Sequence, residues 1–173
     1  MEALILVVPS MQYAEQIMQY RQEFLDNGDV LHGTAGLADA GSIAHWLLAI
    51  EDNSSDRTVR HGYVPASTFL GVRCADDRIV GMIDIRHRLN DYLLSYGGHI
   101  GYSVRKSERH RGYAKEILRL ALCECSQLGI GKALITCEKS NSASAKTIIA
   151  CGGVLENEIM TDGGLTQRFW ITV

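Results

Sequence analysis

Proline is almost missing from this chain: two residues in 173, Pro9 and Pro65. With no low-complexity tract beside it, that scarcity argues against a disordered or linker protein. No run of about 18 apolar residues occurs, so no segment reads as a membrane-spanning helix. A strong charge of either sign is lacking too. The net charge is −3 and the pI about 6.0, which argues against a protein that coats nucleic acid through its overall field. Nor is there a disulfide framework. Cys74, Cys123, Cys125, Cys137 and Cys151 are odd in number and scattered, as expected of buried, reduced thiols in a cytoplasmic protein. Cys123 and Cys125 fall inside a helical pattern, where residues two apart point away from each other, so they suggest no metal site. Ala3 to Val8 is apolar but has neither a basic flank nor a small-residue cleavage site, and reads as a strand rather than a leader.

What is present is an ordinary globular composition, 46% apolar and 21% charged. A chain of this length buries roughly two-thirds of its unfolded surface and needs no staple of metal or disulfide. Residues 1–173 read as one domain without internal repeats. A strand over 3–8 leads to a helix over 12–25, and a short helix over 42–50 is capped by Ser42. The polar run 51–58 reads as a loop. Strands over 67–74 and 78–87 form a hairpin turned at Asp76-Asp77, and a polar turn over 90–97 leads to a strand over 98–105. Ala114, Ile117, Leu118, Ala121, Leu122, Cys125 and Leu128 make the clearest helical stripe, closed by Gly129. A strand over 132–137, a helix over 142–150 and a hairpin (154–160 and 165–173, turned by 161–164) complete the chain. The order β-α-α-β-β-β-α-β-α-β-β predicts an α/β fold: a mixed sheet of about six or seven strands flanked by helices.

The most informative segment runs from Gly101 to Lys115: Gly-Tyr-Ser-Val-Arg-Lys-Ser-Glu-Arg-His-Arg-Gly-Tyr-Ala-Lys. A strand feeds a basic loop, which feeds the start of the strongest helix. A helix start carries unpaired N–H groups and the positive end of the macrodipole. Gly112 and Ala114 leave room for a ligand to approach the backbone. Arg105, Lys106, Arg109, Arg111 and Lys115 add positive charge around the same point. This combination predicts a site for a phosphate-bearing group such as a pyrophosphate.

Arg109-His-Arg-Gly-Tyr-Ala114 resembles the Arg/Gln-x-x-Gly-x-Gly/Ala signature of the GNAT family of N-acetyltransferases. Family members also resemble this chain in the hairpin before the motif, the strand and Asn-x-x-Ser/Ala helix start after it (here Asn141-Ser-Ala-Ser144), and the terminal hairpin. The likeness is good over residues 79–160 and loose over the N-terminal third. It implies acetyl-CoA (coenzyme A) as co-substrate, with no metal. Backbone amides of Arg109, His110, Arg111, Gly112, Tyr113, Ala114 and Lys115 would hold the pyrophosphate. Main-chain groups of Tyr102, Ser103 and Val104 would pair with pantetheine as an added strand does, in a gap where the motif strand splays from the next. Asn141 and Ser144 would face the cofactor from the other side. Lys146 is a candidate for the adenosine phosphate, or a solvated helix lysine.

Acetyl transfer needs an unprotonated amine, a polarised carbonyl and a proton for the leaving thiolate. Glu138, His99 and Asp84 are the candidate proton acceptors. Their structural alternatives are a cap, a hydrogen-bonded strand histidine and a sheet-edge pair. The chain departs from many family members in having Ile148 where they carry a tyrosine that protonates the sulfur. Either Ser144, Tyr102 or solvent takes that role, or the chain is a non-catalytic acyl-CoA-binding or regulatory module. The acceptor would be a primary amine on a small metabolite, a peptide N-terminus or a lysine, with no nucleic-acid or membrane partner. His87 to Asn90, His32, Tyr63 and Trp46 are candidates for shaping its pocket, with core packing the alternative for Trp46. Dimers are common among similar proteins, and no feature here specifies one.

Overall fold

A computed structural model describes residues 2–161 and 163–173; Asp162, in the expected turn of the last hairpin, lies outside them. The elements follow the order read from the sequence: β1 (Leu4–Val7), α1 (Ala14–Asp26), α2 (Ile43–Asn53), β2 (Ala66–Arg73), β3 (Arg78–Arg86), β4 (Ile100–Val104), α3 (Tyr113–Gln127), β5 (Lys132–Glu138), α4 (Ser142–Ala150), β6 (Val154–Thr161) and β7 (Gly164–Thr172). Ser42 caps α2 by accepting the His45 N–H at 3.2 Å. That helix runs on through Glu51 and Asp52 into residues that read as loop, because its solvent-facing last turn carries no apolar signal.

Two antiparallel sheets, ordered β1-β2-β3-β4 and β5-β7-β6, replace the single sheet that the pattern suggested. Alternation along β3 sends Ile83 and Ile85 to one face, under Ile117, Leu118 and Ala121 of α3. Met82 goes to the other face, under Tyr20 and Phe24 of α1 and Trp46 of α2. Trp46 is therefore core, with its indole N–H donated to the Thr34 carbonyl at 2.9 Å. The β4–α3–β5 crossover brings β4 beside β5. The backbone contact between these edges is at His99, whose N–H donates to the Leu134 carbonyl at 2.7 Å. The Leu134 N–H returns a bond to His99 Nδ1 at 3.0 Å. Beyond this bracket, among the described residues, no backbone hydrogen bond joins the two edges.

Candidate active site

The free edges have a definite polarity. Arg105 N–H donates to the Val80 carbonyl and Arg86 N–H to the His99 carbonyl, so residues 101, 103 and 105 spend their main-chain groups on β3, while His99 gives its carbonyl to β3 and its N–H to β5. Those of Tyr102 and Val104 face the gap instead. Ser103, expected among the pantetheine partners, is turned away from it. Its carbonyl accepts the Tyr20 hydroxyl at 3.0 Å, and its own hydroxyl donates to the His32 carbonyl at 2.6 Å. On the facing edge, the ladder from Val173–Gly131 to Lys139–Leu165 occupies the odd-numbered residues of β5. Thr136 and Glu138 are left facing β4.

At the far end of β4 the chain turns into α3 through two left-handed residues, His110 (φ 63°) and Gly112 (φ 85°). Gly112 takes that conformation without the steric cost a Cβ would add. The Glu116 N–H is paired with the Gly112 carbonyl. Among the described residues, the N–H groups from His110 to Lys115 have no protein acceptor. They form a cluster of donors at a helix start, which is the chemistry that binds a pyrophosphate.

The basic side chains around this cluster are mostly committed elsewhere. Arg105 is buried and paired with Glu23 at 2.6 Å, and Arg109 reaches Asp29 at 2.7 Å and the Val104 carbonyl at 3.0 Å. The Arg109 N–H is likewise taken, by the Lys106 carbonyl at 3.3 Å. Arg111 lies 3.2 Å from buried Glu108, which also holds Arg73 at 2.9 Å. Lys106 donates to Asn27. The cations that looked like ligands therefore mainly fix the loop's shape. Tyr113 is buried, with its hydroxyl donated to Glu2 at 2.8 Å, so only its N–H is presented outward.

On the α4 side, the Tyr102 hydroxyl and Ser144 Oγ are 3.0 Å apart. Burial pushes the Tyr102 phenol up to about 12. The Cys137 thiol, buried and raised by that burial, also meets Ser144; read only as core, it gave no sequence signal of its place. Asn141 is exposed and serves as the α4 cap, its Oδ1 accepting the Ser144 N–H at 3.0 Å. Ile148 is fully buried in the core.

The three proton-acceptor candidates separate. Asp84 is buried and both its oxygens are engaged, Oδ1 by the Thr68 hydroxyl at 2.8 Å and Oδ2 by Arg86 at 3.0 Å. His99 is likewise buried, its Nδ1 held by Leu134, and burial, aided by Arg86, lowers its pKa. Neither is a free base. Glu138 stays exposed at the end of β5; its carboxylate accepts the Ser140 hydroxyl at 3.2 Å. By strand alternation it lies on the opposite face from Cys137. Among the described residues there is no cluster of three or more His, Cys, Asp or Glu able to hold a metal.

Known proteins share this fold. No curated sequence matches the chain. RimJ of Mycobacterium smegmatis, solved in complex with a CoA-disulfide, superposes with a TM-score of 0.72 at 18% identity, over 98% of this chain and 82% of that one. A ribosomal-protein-S5-alanine acetyltransferase from Vibrio fischeri gives 0.70 at 16%, over 99% and 94%. The microcin C7 self-immunity acetyltransferase MccE, solved with acetyl-CoA and AMP, gives 0.65 at 18%, over 98% and 92%. At such identities the likeness is one of fold. A family model, however, that of the acetyltransferase (GNAT) domain, matches residues 11–154. The chain belongs to the GNAT acetyltransferases, which take acetyl-CoA as acyl donor.

Proposed function

We propose that residues 1–173 form one N-acetyltransferase domain that moves an acetyl group from acetyl-CoA to a primary amine. The observation that carries the reading is that main-chain groups without a protein partner stand both on the free edge of β4 and, past the loop, at the N–H groups of residues 110–115. The α3 start holds the pyrophosphate, and the Tyr102 and Val104 main chain holds the pantetheine amides. Acetyl-CoA supplies a thioester whose carbonyl is open to attack. A main-chain N–H on the β4 edge polarises that carbonyl, as an oxyanion hole does. Glu138 takes the proton that the amine sheds, directly or through water.

The solved neighbours named for ribosomal-protein substrates support an acceptor amine on a peptide or protein. Free cysteines throughout support a reducing, cytoplasmic setting. Ile148 favours a second reading, a module that binds acyl-CoA without turnover. The test has two parts. Acetyl-CoA is expected to raise the melting temperature, and thiol release should follow with at least one amine from a panel of amino acids, polyamines, aminoglycosides and peptides. A thermal shift without thiol release would favour the second reading, and no shift at millimolar acetyl-CoA would reject both.

A further inference from the structure

We infer that Arg86, braced by buried Asp84, receives a carboxylate of the acceptor, so that the substrate is an amine carrying a carboxylate close to it. The inference rests on the acetyl-CoA reading of the gap between β4 and β5, and it narrows the acceptor to anionic amines.

It starts from a charge in an unfavourable place. Asp84 is only 4% exposed, on the same face of β3 as Met82 and opposite Gly101 of β4. It accepts the Thr68 hydroxyl at 2.8 Å and meets Arg86 Nε at 3.0 Å. A buried ion pair adds little net stability, because desolvation offsets most of its attraction. What this pair does is hold one edge of a guanidinium in a fixed place.

The other edge is free. Among the described residues no acceptor takes an N–H from Nη1 or Nη2 of Arg86, and the side chain stays 26% exposed. Nη1 is 3.2 Å from the point where a Cβ on Gly101 would stand, and the main-chain nitrogen of Gly33 is 3.3 Å from that same point. The Gly33 N–H also has no acceptor among the described residues. The absent side chain of Gly101 thus leaves two donors within reach of one small ligand. Gly33 (φ 67°) lets the segment between α1 and α2 cross β4 in contact, since a Cβ there would lie 2.0 Å from the Gly101 carbonyl oxygen. The crossing is fixed on both sides, by Ser103 on the His32 carbonyl and Trp46 on the Thr34 carbonyl.

His99 stands directly across from Arg86, whose N–H donates to its carbonyl. Its Nδ1 is taken by the Leu134 N–H, so the neutral ring offers a donor at Nε2 and no acceptor. A planar fork with two unused N–H edges, beside further donors, matches a carboxylate in shape and charge.

The placement also suits the reaction. The Arg86 fork lies level with Gly101, two residues past the His99–Leu134 bracket, and Glu138 is four residues past it on β5. By strand alternation both are on the face away from Tyr102 and Cys137, roughly 7 Å apart along the strand direction. A carboxylate held on Arg86 puts an amine a few bonds away between the fork and Glu138. Arg86 is thus an acceptor-binding residue and Asp84 a positioning residue.

The test compares acceptors first. Thiol release is measured with amino acids against their α-carboxamides, and with peptides opening on Asp or Glu against peptides opening on Asn or Gln. The first comparison reads an α-carboxylate and the second a side-chain carboxylate. In one of them the acid should exceed its amide at least about tenfold in kcat/KM, the worth of a hydrogen bond to a charged group. Arg86→Gln should lower kcat/KM for that acid about tenfold to a hundredfold, through KM rather than kcat, and erase the preference over the amide. Arg86→Lys should keep part of it, as a point charge without the fork. Asp84→Asn should raise KM for the acid and leave the amide unchanged. The Kd for acetyl-CoA should stay within about threefold in every variant. A second readout needs no turnover: with CoA bound, the acids at millimolar concentration should raise the melting temperature of the wild type and not of Arg86→Gln. Equal rates for acids and amides in both comparisons would overturn the inference, as would an acid preference that survives Arg86→Gln. So would the absence of both thiol release and thermal shift with every acid. Should Arg86→Gln fail to fold, Arg86→Lys and the wild-type comparison decide. If the wild type does not bind CoA at all, the failure is that of the donor reading itself.

Discussion

The two ends of the gap are made of different material. Beside α3 the inward-facing groups are main-chain N–H, and the charged side chains around them are occupied with one another: Arg105 with Glu23, Arg109 with Asp29, Arg111 with Glu108. Beside α4 the facing groups are side chains, Tyr102, Ser144 and Cys137, with Glu138 on the other face. A backbone site tolerates many side chains provided the φ angles and the space survive. A side-chain site depends on identity and fails one residue at a time.

The contrast breaks most sharply at Ala114. Ala114→Glu puts volume and negative charge at the phosphate end, and like charges in contact cost several kcal/mol. Calorimetry should show acetyl-CoA affinity falling at least about a hundredfold, with the melting temperature of the free protein little changed. At the other end Glu138→Gln should leave that affinity alone and lower kcat about a hundredfold; a parallel loss of binding would move Glu138 out of the chemistry.

His99 tests what joins the two ends. Replacing it with alanine leaves the Leu134 N–H unpaired, a loss of about 1–3 kcal/mol in denaturant titration. Its pH dependence has a definite sign. Burial, with Arg86 nearby, holds the folded imidazole below its ordinary value of 6.5, so as pH falls the unfolded chain takes up the proton first. The wild type should be fully stabilised above that value and lose stability as pH drops towards the folded one. His99→Ala should flatten that slope in part, since half-buried His87 is shifted in the same direction. The smallest effect is expected at Arg111, an exposed side chain beside buried Glu108, whose replacement by alanine should change acetyl-CoA affinity within about threefold.

The α3 end was legible in the sequence because its signals are local: an apolar stripe, a glycine at the helix start and a strand just before. The terminal hairpin and the Asn141 cap region were legible for the same reason. What stayed hidden were directions and long-range partners. Nothing near Arg105 says that it turns inward to Glu23, a residue far away on α1. Nothing in Ser103 says that it points at His32, since the register of β4 against β3 decides which main-chain groups face the gap. Asp84 and His99 looked like titratable groups near a reaction centre, and only tertiary structure reveals Thr68, Arg86 and Leu134 as their partners. Cys137 and Ser144 became neighbours of Tyr102 through the crossover, which local pattern does not specify.

The junction at His99 and Leu134 has a mechanical consequence. It is a fulcrum, and the two sheets beyond it are lever arms. A small change of angle there displaces the strands in proportion to their distance from it. A hinge there would displace the mouth beside α3 most and the neighbourhood of Tyr102 least, which would admit a long ligand at one end without loosening the grip on its reactive tip.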